Sequence, residues 1–150
     1  MEGLAFPPRK PRNNAPLGAW LVKSEPSEYS FADLLRDGHV CWDGVTNAAA
    51  LIHLRAMRKG DEVLFYHTGS EKRIVGLAAA TSDPYPDPAR GDPRLVVVDL
   101  RPVRALAHPV RLADIKARPA FADFPLVRMG RLSVVPVTPA RRKALLAMSH

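Results

Sequence analysis

The chain of 150 residues is long enough to bury a core as one globular domain. Its single cysteine, Cys41, excludes an internal disulfide framework and a multi-cysteine zinc site, and no run of about 18 apolar residues predicts a membrane-spanning helix. The composition therefore predicts a soluble, cytoplasmic, monomeric protein. The formal net charge of +7 favours a polyanionic partner, although the same charge also serves solubility alone.

The N-terminal segment differs from the rest of the chain in composition. Residues 1–18 contain several prolines, few large apolar groups and a basic cluster of Arg9, Lys10 and Arg12. Such a segment has too little apolar surface to pack against a core. We therefore expect a disordered basic, proline-rich arm over residues 1–18 and one folded domain over residues 19–150, with no internal repeat.

Short strands and short helices alternate in the first half of the folded domain. Ser30 and Asp33 form a capping-box pattern, which predicts the start of a helix that Gly38 ends. Asn47 is a second N-cap residue, and the apolar side chains after it recur at the spacing of one buried helix face. We predict, in order, a strand at 19–22, a helix after Ser30, a turn at 41–47, a helix at 48–58 and a hairpin of strands 62–67 and 73–80.

The second half of the domain is richer in strand signals. The apolar run after Arg94 predicts a central strand, and Thr138 followed by Pro139 predicts the start of a last helix. The remaining predictions are a proline-rich loop at 82–93, the central strand at 94–106, helical turns at 112–116 and 119–123, and strands at 126–129 and 132–137. Strands outnumber helices without regular alternation, so the predicted class is α+β with a mixed or antiparallel, partly closed barrel.

The turn at residues 41–47 has the composition of a ligand pocket. Trp42 offers a large amphipathic surface, Asp43 offers hydrogen-bond acceptors, and Gly44 allows close approach of another group. The alternative is a Trp42 that fills the core beside an ordinary Asp-Gly turn. Both interpretations fit these seven residues.

Nine short motifs are distributed along the folded domain. They lie at residues 20–26 (WLVKSEP), 29–30 (YS), 42–45 (WDGV), 54–57 (LRAM), 60–61 (GD), 65–67 (FYH), 74–76 (IVG), 85–88 (YPDP) and 131–134 (RLSV). In that order and spacing, residues 19–148 resemble the EVE domain family of the PUA-like superfamily, which also contains the YTH readers of modified RNA. The resemblance implies a PUA-like mixed, partly closed β-barrel flanked by short helices. It also implies a cleft for a modified cytosine or adenine in DNA or RNA. We expect no catalysis, cofactor or metal there.

An extruded base needs aromatic faces for stacking and fixed polar groups for its edge, while basic side chains hold the phosphates. Trp42 and Tyr66 are the predicted stacking surfaces. The predicted ligand-binding set is Ser24, Trp42, Asp43, Asn47, Tyr66, His67 and Ser133, and the predicted phosphate-binding set is Lys23, Arg128 and Arg131. For Tyr66 a core position, and for each cation a solvated surface role, remain open.

The chain departs from the family pattern near the second helix. Leu51 and Ile52 replace an arginine and an asparagine that are common there, and Ala48 replaces a frequent tyrosine. Thr68 followed by Gly69 replaces a serine and an asparagine. The resemblance therefore implies a pocket that is more apolar, prefers another modification or binds more weakly.

Two other classes of function remain open. Cys41 with His67 offers a nucleophile and a base for a small hydrolase, and a groove on a basic surface suits an acidic peptide. However, the histidines, Cys41 and Asp43 show no diagnostic catalytic or metal-binding spacing. We expect Cys41 to be a small buried apolar residue beside Trp42.

Overall fold

The computed structural model describes residues 18–149, so the predicted arm lies almost entirely outside the described residues. Gly18, the last residue of that predicted arm, donates its N–H to Asp61 Oδ1 at 3.1 Å. The strands are β1 (Ala19–Ser24), β2 (Val40–Trp42), β3 (Glu62–His67), β4 (Arg73–Ala80), β5 (Tyr85–Pro86), β6 (Val96–Arg111) and β7 (Val134–Val137). The helices are α1 (Phe31–Asp37), α2 (Ala48–Ala56), α3 (Leu112–Lys116), α4 (Pro125–Arg128) and α5 (Pro139–Ala147), with a 3₁₀ turn at Pro119–Phe121.

The strands form one mixed sheet that curls into a half-barrel. Its order is β2-β6-β4-β3-β1-β7, with β5 paired to β6, and β1 runs parallel to β3 while the other pairs are antiparallel. Two strands separate β2 from β3, yet the rings of Trp42 and Phe65 lie 5.5 Å apart. A flat sheet would hold these strands far apart. The predicted α+β class with a partly closed barrel is therefore confirmed.

The core lies inside the curled sheet and under the helices that cover it. Val63, Leu64 and Phe65 are fully buried, so the middle of β3 is apolar on both faces. Phe31, the first residue of α1, packs 5.4 Å from Phe65 and sits directly over Gly76. A Cβ at position 76 would lie 2.5 Å from the Phe31 ring, so only glycine fits under this side chain.

The helix caps follow the sequence signals. The Ser30 hydroxyl accepts from the Asp33 N–H at 3.0 Å, the Asp33 carboxylate accepts from the Ser30 N–H at 2.9 Å, and Gly38 ends α1 with φ +78°. Asn47 Oδ1 accepts from the Ala50 N–H at 3.1 Å and caps α2. These bonds join residues three apart, which is why the sequence alone predicts them.

Several predicted boundaries are wrong. Residues 126–129 belong mainly to α4 rather than to a strand, because Pro125 begins a helical turn in which the Met129 N–H reaches the Pro125 carbonyl. The last strand begins at Val134, and β6 continues to Arg111 because register shifts let it follow β4 around the barrel.

Two strands were not predicted. Residues 40–42 pair with β6 as β2, in part of the segment that was predicted to be a turn, and Tyr85–Pro86 forms β5 within the proline-rich loop. Each is at most three residues long and owes its strand geometry to pairing with β6. Such short segments carry too little periodicity to be seen in the sequence.

Candidate functional site

A pocket opens where the edge strand β2 of the curled sheet approaches the end of β1. Its volume is about 300 Å³. We call it the acidic pocket, because three carboxylates and one ammonium group border it. Its lining residues are Lys23, Ser24, Glu25, Glu28, Tyr29, Val40, Cys41, Trp42 and Asp43.

Trp42 forms an aromatic wall of the acidic pocket. Its indole is half-buried and packs edge-on against Phe65, with an interplanar angle of 76°. This contact anchors the ring on the core while part of the indole borders the pocket. Trp42 is therefore both a core residue and a pocket residue, because one part of its ring packs on Phe65 and another part borders the pocket.

A second aromatic ring, the phenol of Tyr29, borders the same pocket. The Ser24 hydroxyl donates to the Tyr29 carbonyl, and the Tyr29 hydroxyl donates to Asp37 Oδ2 at 3.0 Å. Burial and the hydrogen bond to Asp37 raise the pKa of Tyr29 to about 12. The Tyr29 hydroxyl is thus neutral, and the residue is held at its backbone by Ser24 and at its hydroxyl by Asp37.

Glu25 supplies a fixed negative charge. Its carboxylate accepts from the Ser27 N–H at 2.7 Å and from the Ser27 hydroxyl at 2.6 Å, and these bonds lower the pKa of Glu25. The turn between β3 and β4 packs directly on it. At Gly69, with φ +72°, a Cβ would lie 2.5 Å from Glu25 Oε1, so both the backbone angle and the space require glycine.

His67 lies behind the pocket and joins two elements. Its Nε2 accepts from the Phe31 N–H at 3.0 Å, and its Nδ1 lies 3.0 Å from Glu71 Oε1. The acceptor role of Nε2 assigns the proton to Nδ1, which then donates to Glu71. The bond to His67, together with Arg73, lowers the pKa of Glu71. Both ring nitrogens are engaged within the protein, so His67 positions the start of α1 against β3.

A second pocket of about 260 Å³ lies beyond Lys23. We call it the basic pocket, because three lysines and no carboxylate border it among the residues that the structure describes. Its lining residues are Lys23, Tyr66, Thr68, Gly69, Lys72, Leu112, Lys116, Leu126, Val127 and Gly130.

Lys23 borders both pockets. Its Nζ donates to the Gly130 carbonyl at 2.9 Å and lies 5.8 Å from the centre of the Tyr66 ring. Desolvation lowers the pKa of Lys23, and the same cause raises the pKa of Tyr66. The Lys23 ammonium group is therefore partly removed from water.

The structure separates the two aromatic residues that were predicted to share one slot. Phe65 and His67 contact each other at 5.8 Å on the side of Trp42, whereas Tyr66 between them lies under Lys23 in the basic pocket. Consecutive strand residues point to opposite faces of a sheet. Tyr66 therefore borders the basic pocket rather than the acidic pocket, and the residue is 3% exposed.

The remaining predicted residues lie around these pockets. Ser24 and Asp43 line the acidic pocket, while Asn47 caps α2 after the turn that carries Asp43. The Ser133 carbonyl accepts from the Lys23 N–H at 3.0 Å. Arg128 and Arg131 are exposed, and each directly follows a lining residue of the basic pocket in the sequence, Val127 and Gly130 respectively.

Three lining residues of the acidic pocket between β1 and α1 were not among the predicted site residues. Glu25, Glu28 and Tyr29 line it, and Glu25 and Tyr29 stand within the motifs at 20–26 and 29–30. Their place in those motifs was a signal for their role. However, nothing in the sequence shows that this loop faces Trp42 on a distant strand.

Cys41 is exposed rather than buried, which corrects the sequence-based expectation. It lies on the edge strand β2, where its Sγ is 3.7 Å from the Tyr85 hydroxyl, which in turn donates to Asp99 at 2.7 Å. Partial desolvation raises the pKa of Cys41, so the thiolate form is disfavoured. Cys41 and His67 each have partners other than one another, which gives the hydrolase alternative no geometric support.

The unusual residues of α2 do not reach either pocket. Leu51 is 4% exposed and joins the core, whereas Ile52 is 62% exposed, and neither borders the acidic or the basic pocket. Leu51 therefore serves packing.

Within residues 18–149, no helix is long and apolar enough to cross a membrane. In the same part of the chain, no group of three or more histidine, cysteine, aspartate or glutamate side chains is placed to hold a metal ion.

Comparison with known proteins gives consistent matches. A family model, the EVE domain, matches residues 18–148. Human thymocyte nuclear protein 1 is 32% identical over 65% of this chain, and the matched part spans 55% of the length of that relative. The crystal structure of human THYN1 in complex with 5-methylcytosine containing DNA has a TM-score of 0.76 at 30% identity, covering 89% of this chain and 98% of that chain.

Two further structures define the range of this likeness. The NMR structure of Rpa0253 from Rhodopseudomonas palustris has a TM-score of 0.85 at 41% identity and covers 89% of this chain and 93% of that chain. The YTH domain of Zygosaccharomyces rouxii MRB1 protein, in complex with N6-methyladenosine RNA, has a TM-score of 0.55 at 13% identity, with 89% of this chain and 86% of that chain covered. The latter likeness concerns the fold alone. The family match over nearly all described residues shows that the chain belongs to the EVE domain family.

Proposed function

We propose that this domain is a non-catalytic nucleic-acid reader that accepts a modified cytosine or adenine of DNA or RNA in the acidic pocket. The observation that carries this proposal is the pairing of an anchored indole with carboxylates around a 300 Å³ cavity. The structure of human THYN1 supports this proposal, because that protein is in complex with DNA that contains 5-methylcytosine. It is 30% identical to this chain and covers 89% of it.

The chemistry of the pocket suits a base that carries an exocyclic amino group. Cytosine presents N4–H₂ and adenine presents N6–H₂ as donors, and carboxylates are natural acceptors for them. Glu25, Glu28 and Asp43 provide such acceptors, while Lys23 provides a donor for a carbonyl or ring nitrogen. Thymine and uracil have no exocyclic amino group and offer only their N3–H as a donor, so they would satisfy fewer of these carboxylates.

Stacking on Trp42 would supply most of the base affinity. A base stacked on an aromatic side chain is worth about 1–3 kcal/mol and does not depend strongly on base identity. Ser24 and Tyr29 are tied to each other by a hydrogen bond, so this side of the pocket is preformed. Selectivity would then come from the polar groups and the shape around the modified position.

The other predicted residues have supporting roles in this proposal. Asn47 sets the end of the turn after Trp42 by capping α2, and His67 holds the first residue of α1 against β3. Ser133 holds the backbone of Lys23. Lys23, Arg128 and Arg131 contact the backbone of the nucleic acid.

The proposal is tested with short single-stranded DNA and RNA oligonucleotides that contain one modified or unmodified cytosine or adenine. We expect the wild type to prefer one modified base, and Trp42→Ala to lose about 1–3 kcal/mol of that binding, or about 5- to 150-fold in Kd. Trp42→Phe should retain part of the preference, because it keeps an aromatic face. Mass spectrometry should recover every oligonucleotide unchanged.

Trp20→Phe is the matched control. The Trp20 indole donates to Asp61 Oδ2 at 2.9 Å and borders neither pocket, so this variant should bind like the wild type. A Trp42→Ala protein that folds normally and keeps the full preference would contradict the proposal.

A further inference from the structure

The basic pocket has a charge opposite to that of the acidic pocket and shares a wall with it. We propose that the basic pocket is a phosphate site that holds the backbone of the same strand whose base enters the acidic pocket. This inference rests on the proposed function. It adds Lys72 and Lys116, which the sequence did not indicate, to the binding surface.

The charges of the lining residues favour an anion. Lys23, Lys72 and Lys116 border the basic pocket, Thr68 adds a hydroxyl, and no carboxylate of the described part of the chain lines it. Within residues 18–149, none of these lysines forms an ion pair with an acidic side chain. Three ammonium groups that face one small cavity repel each other, and a bound phosphate would relieve that repulsion.

The acidic pocket, by contrast, disfavours a phosphate. Glu25, Glu28 and Asp43 border it against the single ammonium group of Lys23, and the bonds from Ser27 keep Glu25 ionised. A nucleotide that places its neutral base there must leave its charged backbone outside. Because Lys23 borders both cavities, the nearest strongly basic surface is the basic pocket.

Lys72 borders this pocket from an uncommon backbone conformation. It is the one non-glycine residue among residues 18–149 with a positive φ, 48°. Its carbonyl accepts from the Leu112 N–H at 2.8 Å, which ties the β3–β4 turn to the start of α3, the helix that carries Lys116. The fold therefore keeps a lysine in a backbone conformation that glycine adopts more easily.

Lys23 connects the two sites. Its Nζ already donates to the Gly130 carbonyl and lies over the Tyr66 ring, so its position does not depend on a ligand. Desolvation disfavours its charged form, and an anion beside it would restore that form. Arg128 and Arg131 lie on either side of Gly130 in sequence, and both residues are exposed.

The test measures the salt dependence of oligonucleotide binding in Lys72→Gly, Lys116→Ala and the double variant. We expect each variant to weaken binding of modified and unmodified strands by the same factor. The slope of log K against log salt should fall by about 0.7 for each lysine removed, because each releases one fewer counterion from a single strand. The preference for the modified base should stay unchanged.

Two controls separate binding from folding. Lys72→Gly removes a side chain from a left-handed backbone position, so its thermal stability should equal or exceed that of the wild type. Lys143→Ala removes an exposed lysine of α5 that borders neither pocket, and its slope should match the wild type.

A second arm locates the phosphate on the strand. Neutral methylphosphonate linkages are placed one at a time along an oligonucleotide with one modified base. In the wild type, a neutral linkage next to the modified nucleotide should weaken binding, and the double variant should be insensitive to the same linkage. Equal sensitivity of wild type and double variant at every linkage would overturn the proposal.

The remaining outcomes are also decisive. An unchanged salt slope in the double variant with intact base preference overturns the phosphate site and leaves the proposed function standing. A reduced slope in a protein that prefers no modified base supports the phosphate site and removes the proposed function. If inorganic phosphate competes for the lysines as strongly as a whole oligonucleotide, the site takes a small free anion and the assignment to a strand is overturned.

Discussion

The two pockets share Lys23 and differ in nearly everything else. The acidic pocket presents Trp42 beside carboxylates, whereas the basic pocket presents lysines around a phenol ring. The difference originates in the pairing of β1 with β3, where Lys23 lies opposite Tyr66 and Ser24 lies opposite His67. Since neighbouring residues of a strand face opposite ways, each pair of positions serves a different side of the sheet.

If both proposals hold, base selection and backbone attachment are separable in this domain. In the proposed function, the acidic pocket distinguishes bases through its aromatic rings and carboxylate acceptors, and these carboxylates disfavour phosphates. The basic pocket, as the proposed phosphate site, would bind any strand without reading a base. A variant of the acidic pocket should therefore change the base preference and leave the salt slope unchanged, and a variant of the basic pocket should do the reverse. Lys23 should be the exception, because it borders both pockets.

Lys23→Met is expected to have the largest effect, because it removes the one cation that borders both pockets. A hydrogen bond to a charged group is worth about 1.5–3 kcal/mol, so affinity should fall about 10- to 150-fold. The salt slope and the base preference should both decrease in the same titrations. Lys23→Arg is the control, because it keeps the charge and should retain most of the salt slope. A Lys23→Met protein in which only the salt slope or only the base preference changes would show that Lys23 does not serve both pockets.

Gly76→Ala should disturb the acidic side alone. The added methyl group would meet the Phe31 ring, which packs on Phe65 behind Trp42, and such overpacking typically lowers the free energy of unfolding by about 1–3 kcal/mol. Urea denaturation measures this loss. Base preference should fall with it while the salt slope stays unchanged.

Gly130→Ala is the control for that substitution, because a Cβ there meets no atom within 4 Å. Its unfolding free energy should lie within about 0.5 kcal/mol of the wild type. An equally stable Gly76→Ala protein would mean that Phe31 shifts without cost and that the acidic pocket is less rigid than its contacts indicate.

Asp43→Asn is expected to have the smallest effect. It replaces a charged acceptor of the acidic pocket by a neutral one, so selectivity for cytosine or adenine over thymine should fall by about 1 kcal/mol, or roughly 5-fold. Competition between matched oligonucleotides measures the ratio. Asp92→Asn is the control, because the Asp92 carboxylate lies in a loop and binds Arg94, so the selectivity ratio should stay unchanged. Equal effects of the two variants would point to general electrostatics rather than to a contact between Asp43 and the base.

The sequence was most informative where structure depends on neighbours along the chain. The caps of α1 and α2 join residues three apart, and the ordered motifs predicted both the family and the fold class. The segment 126–129 was misassigned because a short apolar run fits a strand or a buried helical turn equally well. Pro125 held the signal for a helix start, and only its packing against the strands and α3 decides the outcome.

By itself, the sequence determined that this chain is an EVE domain with Trp42, Ser24, Asp43 and Lys23 in conspicuous motifs. Only the tertiary structure decided that Trp42 shares a pocket with Tyr29 rather than with Tyr66, and that Lys72 and Lys116 meet around one cavity. The physical reason is that these groupings depend on the curl of the sheet and on pairings between strands far apart in the chain. Local propensity and motif spacing carry no information about which side of such a sheet two distant residues will share.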